Sequence, residues 1–165
     1  ALERDAAFGP GGGETRRAKF RNMYVDPQAF PEAKFIFIEH LTREVIWQPY
    51  LLDHPNGALA IESAYFVVAD PEAAAQKFAP LFSDRIERFP GVVKLTLDRG
   101  TLWLSEEKAW RDRVPGRFVP PTPSPAGFGI RVGSIAATRK LLDAKGVPAQ
   151  ARMHAPPLCV PAEDA

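Results

Sequence analysis

Few side chains in this sequence are placed to do chemistry, and His40 leads them. It closes a strand-like run at 35–40, where alternation puts it on one face with Ile36 and Ile38 while Glu39 points to the other. A histidine so placed is either a metal or substrate contact or a hydrogen-bonded strand end. Trp47 follows it, to wall a ligand cavity or to fill a core. Arg21 and Tyr24 lie on the run 20–25, expected to pair with His40's strand and to line the same cavity; the alternative for Arg21 is a solvent-facing position. Farther on, Glu62 offers a carboxylate for ligation or general base catalysis, against the plainer reading of an exposed strand-edge glutamate. His54 precedes the turn Pro55-Asn56-Gly57 and reads as part of a linker. His154 and Cys159 flank Pro156-Pro157; a Cys–His nucleophile pair is the sharper reading, a lone histidine and a small buried hydrophobe the plainer one. Cys159 is the single cysteine, so an intrachain disulfide and a cysteine-based zinc site are excluded. Gly11-Gly12-Gly13 lacks the Lys-Ser/Thr that a phosphate loop needs.

The elements that must position these residues repeat. Residues 64–78 lie over 127–141 at an offset of 63, with three identities: Ala73 on Ala136, Ala74 on Ala137 and Lys77 on Lys140. Each copy opens on a β-rich run and then a helix cap, Asp70 with Pro71 at the first helical position in one and Ser134 in the other. Ala74, Phe78, Leu81 and Phe82 then recur at helical spacing, as do Ile135, Thr138, Leu141 and Leu142, and Gly146 ends the second helix. Strands follow at 85–89, 92–97 and 101–104, the last two joined by Asp98-Arg99-Gly100. That spells β-α-β-β-β. The second copy runs β-α, then strands at 149–153 and 158–160. A short helix at 106–113 and a stretch at 114–125 with five prolines connect them.

The predicted organisation is a glycine-containing flexible segment at 1–14, the last two strands of a preceding module and a linker at 15–58, a complete βαβββ module at 59–113, a proline-rich linker at 114–125 and a second module without its closing strand at 126–165. The fold class is α+β: tandem βαβββ modules forming curved mixed sheets, helices on the outer face. Both ends read as cut from a longer chain. With 21 basic and 20 acidic side chains, a net charge of +1 and only a short basic run at Arg16, Arg17 and Lys19, nucleic acid and anionic membranes are not expected partners. No apolar run reaches the ~20 residues of a membrane helix. A cytoplasmic protein is expected.

The segment from Phe37 to Pro49, with His40-Leu41-Thr42 and Trp47, followed by His54-Pro55-Asn56-Gly57-Ala58, resembles the glyoxalase-like domain proteins of bacteria. These belong to the vicinal-oxygen-chelate superfamily of glyoxalases, bleomycin-resistance proteins and dioxygenases. The resemblance covers about residues 15–165, and Arg43 stands where that pattern often has proline. It implies paired modules enclosing a cavity, with His and Glu on first and last strands holding a divalent metal that chelates two substrate oxygens. On this resemblance His40 is the metal ligand, its partners lying outside this chain. Glu62 is the catalytic carboxylate, and Trp47, Arg21 and Tyr24 are ligand contacts. The cofactor is one divalent metal (Zn, Ni, Fe or Mn) or none. In the second copy Ala126 and Gly127 offer no side-chain ligand at the matching place. Three functions follow as expectations: metal-dependent lyase, isomerase or dioxygenase chemistry on a small oxygenated molecule; metal-free binding of a small-molecule ligand in an aromatic-lined cleft; or a structural, dimerising module in a homodimer.

Overall fold

The computed structural model describes residues 1–82, 85–114, 121–151 and 158–160. The protein is α+β and divides into two compact units, Ala1–Pro55 and Asn56–Ala165. Among the described residues, no helix is long and apolar enough to cross a membrane.

The first unit is an antiparallel sheet of β1 (Leu2–Phe8), β2 (Glu14–Tyr24) and β3 (Ile36–His40), in that order, followed by the short helix α1 (Arg43–Ile46). The flexible segment expected at 1–14 is therefore a strand and a hairpin, and the unit holds three strands rather than two. Two physical causes account for this. Alternation along β1 puts Ala6 and Phe8 on the face where Ala18, Phe20 and Val45 form the core with Ile46. On the other face Glu3 and Asp5 oppose Lys19 and Arg17, with ion pairs at 3.4 and 3.1 Å. Arg17 and Lys19 thus lie on a solvated face, while Arg16 shares the Ala6 face and its guanidinium covers the Phe8 ring at 3.6 Å. The glycines supply the turn: Gly9, Gly11 and Gly12 all have positive φ, and the Gly12 N–H donates to the Gly9 carbonyl at 2.9 Å. Buried Gln48 clasps this turn. Its Oε1 accepts from the Gly9 N–H at 2.8 Å, and its Nε2 donates to the carbonyls of Ala7 and Val45 at 3.1 and 2.9 Å.

The second unit opens with β4 (Ala58–Val67), α2 (Pro71–Phe82), β5 (Ile86–Phe89), β6 (Val92–Thr96) and β7 (Thr101–Ser105), the expected βαβββ order. A connecting helix α3 (Glu107–Arg113) leads on to β8 (Ser124–Val132), α4 (Ile135–Ala144), β9 (Gln150–Ala151) and β10 (Leu158–Cys159). The main sheet has the order β5-β6-β7-β4-β8. β4 runs parallel to β7 and antiparallel to β8, with three register shifts against β8. β9 and β10 form a separate two-stranded sheet. Both β4-α2 and β8-α4 run strand then helix, the order read from the repeat, although α2 buries Ala74, Ala75 and Phe78 while α4 has no buried residue. The expected linker ends at Ser124, where β8 begins, and its residues 115–120 lie outside the described ones.

Helix α2 covers one face of the sheet. Phe66, Leu102, Leu104, Val93 and Leu95 share that face by register, and Phe78 meets Phe66 at 6.3 Å and Phe82 at 5.8 Å between ring centroids. Asp70 caps α2, its Oδ1 accepting from the N–H groups of Glu72 and Ala73 at 2.9 and 3.0 Å. Ser134 caps α4 by accepting from the Ala137 N–H at 3.2 Å. At its other end Gly146 N–H donates to Asp143 O and Val147 N–H to Leu142 O, the paired bonds of a glycine-terminated helix. Asp70→Ala leaves two helix N–H groups without their acceptor. It is expected to lower stability by about 1 kcal/mol in urea unfolding.

Candidate functional site

In the first unit, His40 pairs across the strands with Phe20, Ile38 with Asn22 and Ile36 with Tyr24. Its ring meets Phe20 edge-on at 5.2 Å and Trp47 edge-on at 6.0 Å, and the Arg43 guanidinium lies 4.7 Å from the Trp47 ring centre. His40 Nδ1 is buried without a hydrogen-bond partner among the described residues, as is Oδ1 of Asn22, its diagonal neighbour on the same face. Trp47, 44% exposed, therefore does stand beside His40. Tyr24 shares the face but sits four residues along β2 from Phe20, roughly 13 Å away. It is 63% exposed. Arg21 is on the opposite face, paired with Glu39 at 2.6 Å, so the cavity expected to join it to His40 and Tyr24 does not include it. The odd-numbered Arg21 and even-numbered Tyr24 cannot share one face of an unbroken strand.

In the second unit, the face of the sheet opposite α2 carries a different set. Along it run Tyr65, Trp103, Lys94 and Glu87 in register, and beside them Ser63, Thr101 and Thr96. The Trp103 ring stacks with Tyr65 at 6.1 Å and with Phe89 at 6.2 Å. From α3, Trp110 reaches this face and meets Tyr65 at 5.9 Å, while Arg113 Cζ lies 4.7 Å from the Trp103 ring centre. So α3 does not follow α2 onto the outer face. One glycine of β8 makes the arrangement fit: a Cβ on Gly129 would overlap Ser63 Oγ, whereas one on Gly127 would stand in ordinary contact, 3.5 Å from the Trp110 ring.

The polar groups here are partly committed. Lys94 engages Glu87 at 2.6 Å, and that hydrogen bond holds the Glu87 carboxyl below its ordinary range. Trp103 Nε1 donates to Thr101 Oγ1 at 3.0 Å, and Thr101 Oγ1 to the Glu62 carbonyl at 3.4 Å. Ser63 Oγ donates to Tyr65 Oη at 3.1 Å. Trp110, only 7% exposed, keeps its Nε1–H buried and without an acceptor among the described residues.

Glu62 belongs to this unit and is exposed, at a register shift of β4 between Ile61 and Ser63; its backbone, not its carboxylate, makes the contact with Thr101. His54 is exposed ahead of the turn in which Asn56 Oδ1 accepts from the Ala58 N–H at 3.0 Å. His154 lies outside the described residues, and Cys159 stands in β10. No group of three His, Cys, Asp or Glu side chains suited to a metal ion occurs among the described residues. Trp103 and Trp110 were missed in the sequence as site candidates; alternation in 101–104 could have marked Trp103, whereas nothing in 106–113 says which sheet face Trp110 meets. No family model, curated protein or solved structure matches this chain.

Proposed function

We propose that this chain is part of a glyoxalase-like, vicinal-oxygen-chelate-type cytoplasmic protein whose Asn56–Ala165 unit binds a small oxygenated molecule on the α2-free face of its sheet. The observation that supports this is the chemistry of that face. Indole, phenol and hydroxyl groups line it, and its carboxylate, Glu87, is engaged by Lys94. Metal chelation needs imidazole and carboxylate donors converging instead. The module is thereby read as a binding module. The probe 2-naphthol, planar and bearing one oxygen, tests it in proton–nitrogen correlation spectra, where the three tryptophans give three indole signals. Saturable shifts of the Trp103 and Trp110 signals, with Trp47 unmoved, are expected. No shift, or a shift of Trp47 alone, would refute the binding reading.

His40 favours a second reading, because its buried Nδ1 has no partner. It could give one nitrogen to a Zn, Ni, Fe or Mn ion completed by residues outside this chain, the basis for lyase or dioxygenase chemistry. The fit is partial: histidine ligands nearly always donate their other ring N–H to an acceptor, and Glu39 faces away. Elemental analysis of the purified protein decides it. Stoichiometric metal lost in His40→Ala supports this reading, and metal retained by His40→Ala sinks it.

A further inference from the structure

The turn ahead of β4 carries a chemistry of its own. Asn56-Gly57 is the single asparagine–glycine pair in the chain. In such a pair the backbone nitrogen that follows can attack the side-chain amide, and a glycine, having no Cβ, leaves that approach open. Both residues are exposed. Gly57 holds a φ of 70° with open space around its Cα, and its N–H makes no hydrogen bond among the described residues. The electrophile is held ready as well. The Ala58 N–H donates to Asn56 Oδ1 at 3.0 Å, the oxygen on which negative charge gathers as the nitrogen adds. Asn22, the other asparagine, lies inside the β2–β3 ladder and precedes Met23, so neither feature is repeated there.

We propose that Asn56 is a site of spontaneous deamidation and backbone isomerisation, and that the change loosens α4. The Gly57 nitrogen gives its proton to hydroxide and bonds to Asn56 Cγ. The Cγ–Nδ2 bond breaks, and the nitrogen leaves as ammonia with a proton from water. Water then adds at one of the two carbonyls of the resulting cyclic imide and breaks that carbonyl's bond to the Gly57 nitrogen. Opening at Cγ leaves aspartate; opening at the backbone carbonyl leaves isoaspartate, with the main chain running through Cβ and Cγ. Water is the only co-reactant.

The lengthened chain moves what this turn holds. The Gly57 carbonyl accepts from the Gly133 N–H at 3.0 Å, and the Asn56 carbonyl oxygen lies 3.4 Å from Thr138 Oγ1. In isoaspartate the Asn56 carbonyl becomes a free carboxylate off the main chain, and the Oδ1 contact with Ala58 is lost. Both tied residues flank the Ser134 cap of α4, a helix with no buried residue, so little burial opposes its release.

The full chain, aged in mildly alkaline buffer, is followed by amide exchange and by peptide mapping with electron-transfer fragmentation, which separates isoaspartate from aspartate. Both products are expected at position 56, with Asn22 intact. Exchange over 135–144 should become about tenfold faster, as the loss of one or two hydrogen bonds allows, while β6 and β7 stay protected. The conversion should run at least as fast in the native chain as in the urea-unfolded one. A slower native rate would overturn the proposal, because the turn would then be protecting Asn56. Freshly purified Asn56→Asp separates charge from backbone: it keeps an oxygen for the Ala58 N–H, and α4 is expected to keep its protection. Exchange over 135–144 as fast in fresh Asn56→Asp as in the aged chain would assign the loosening to charge and overturn the role of isomerisation. Unchanged exchange there in an aged, isoaspartate-bearing chain would overturn the coupling to α4.

Discussion

Truncating Phe78 to alanine is expected to lower the unfolding free energy of the Asn56–Ala165 unit by about 3–5 kcal/mol. Phe78 is fully buried and lies between Phe66 of β4 and Phe82 of its own helix, so it joins α2 to the sheet. Removing its ring takes away burial and leaves a void, because α2 is tied at its start by the Asp70 cap and cannot settle freely onto Leu95 and Leu104. Urea unfolding followed by tryptophan fluorescence reads the loss directly, since Trp103 and Trp110 both lie in this unit. A change below about 1 kcal/mol would show that α2 is not docked on this face in solution.

Gly129→Ala should produce the second large effect, about 1–3 kcal/mol from overpacking. The added Cβ overlaps Ser63 Oγ, and Ser63 is itself buried in β4, a strand paired on both sides. The same Cβ stands 3.6 Å from Ser63 Cβ, an ordinary contact. Gly129→Ala combined with Ser63→Ala is therefore expected to recover most of the loss. A double-mutant cycle in thermal or urea unfolding measures that coupling. Additive losses would mean that the strain arises in the β8 backbone rather than at the hydroxyl.

How far these arrangements were legible in the sequence depended on whether a residue's partner was near in the chain. The caps at Asp70 and Ser134, the hairpin at Asp98-Arg99-Gly100 and the Gly146 helix end are local, and each was read correctly, as was the βαβββ order they punctuate. β1 was missed because Arg4 interrupts its apolar alternation and the glycines after it look like a loop when read without β2. The Arg21–Glu39 pair needed the register of β2 on β3, although strand parity alone already separates Arg21 from Tyr24. Gln48 gave no signal, since two of its three bonds reach Ala7 and Gly9, which only the folded hairpin brings near. For the candidate site, Trp47 beside His40 follows from short chain separation. The meeting of Trp110 with Tyr65 depends on which side of the sheet α3 crosses.

The place of β4 in the second unit has a consequence for biosynthesis. It is the first strand of its sheet to be made, and it ends up inside the sheet, between β7 and β8. On the ribosome it must wait unpaired on both edges until 101–105 and then 124–132 have emerged. During that interval Leu59, Ile61 and Phe66 have no sheet to belong to, and such a strand is a template for pairing with other chains. Slowed translation between β4 and β7 would lengthen the exposure, and chaperone demand should track that delay.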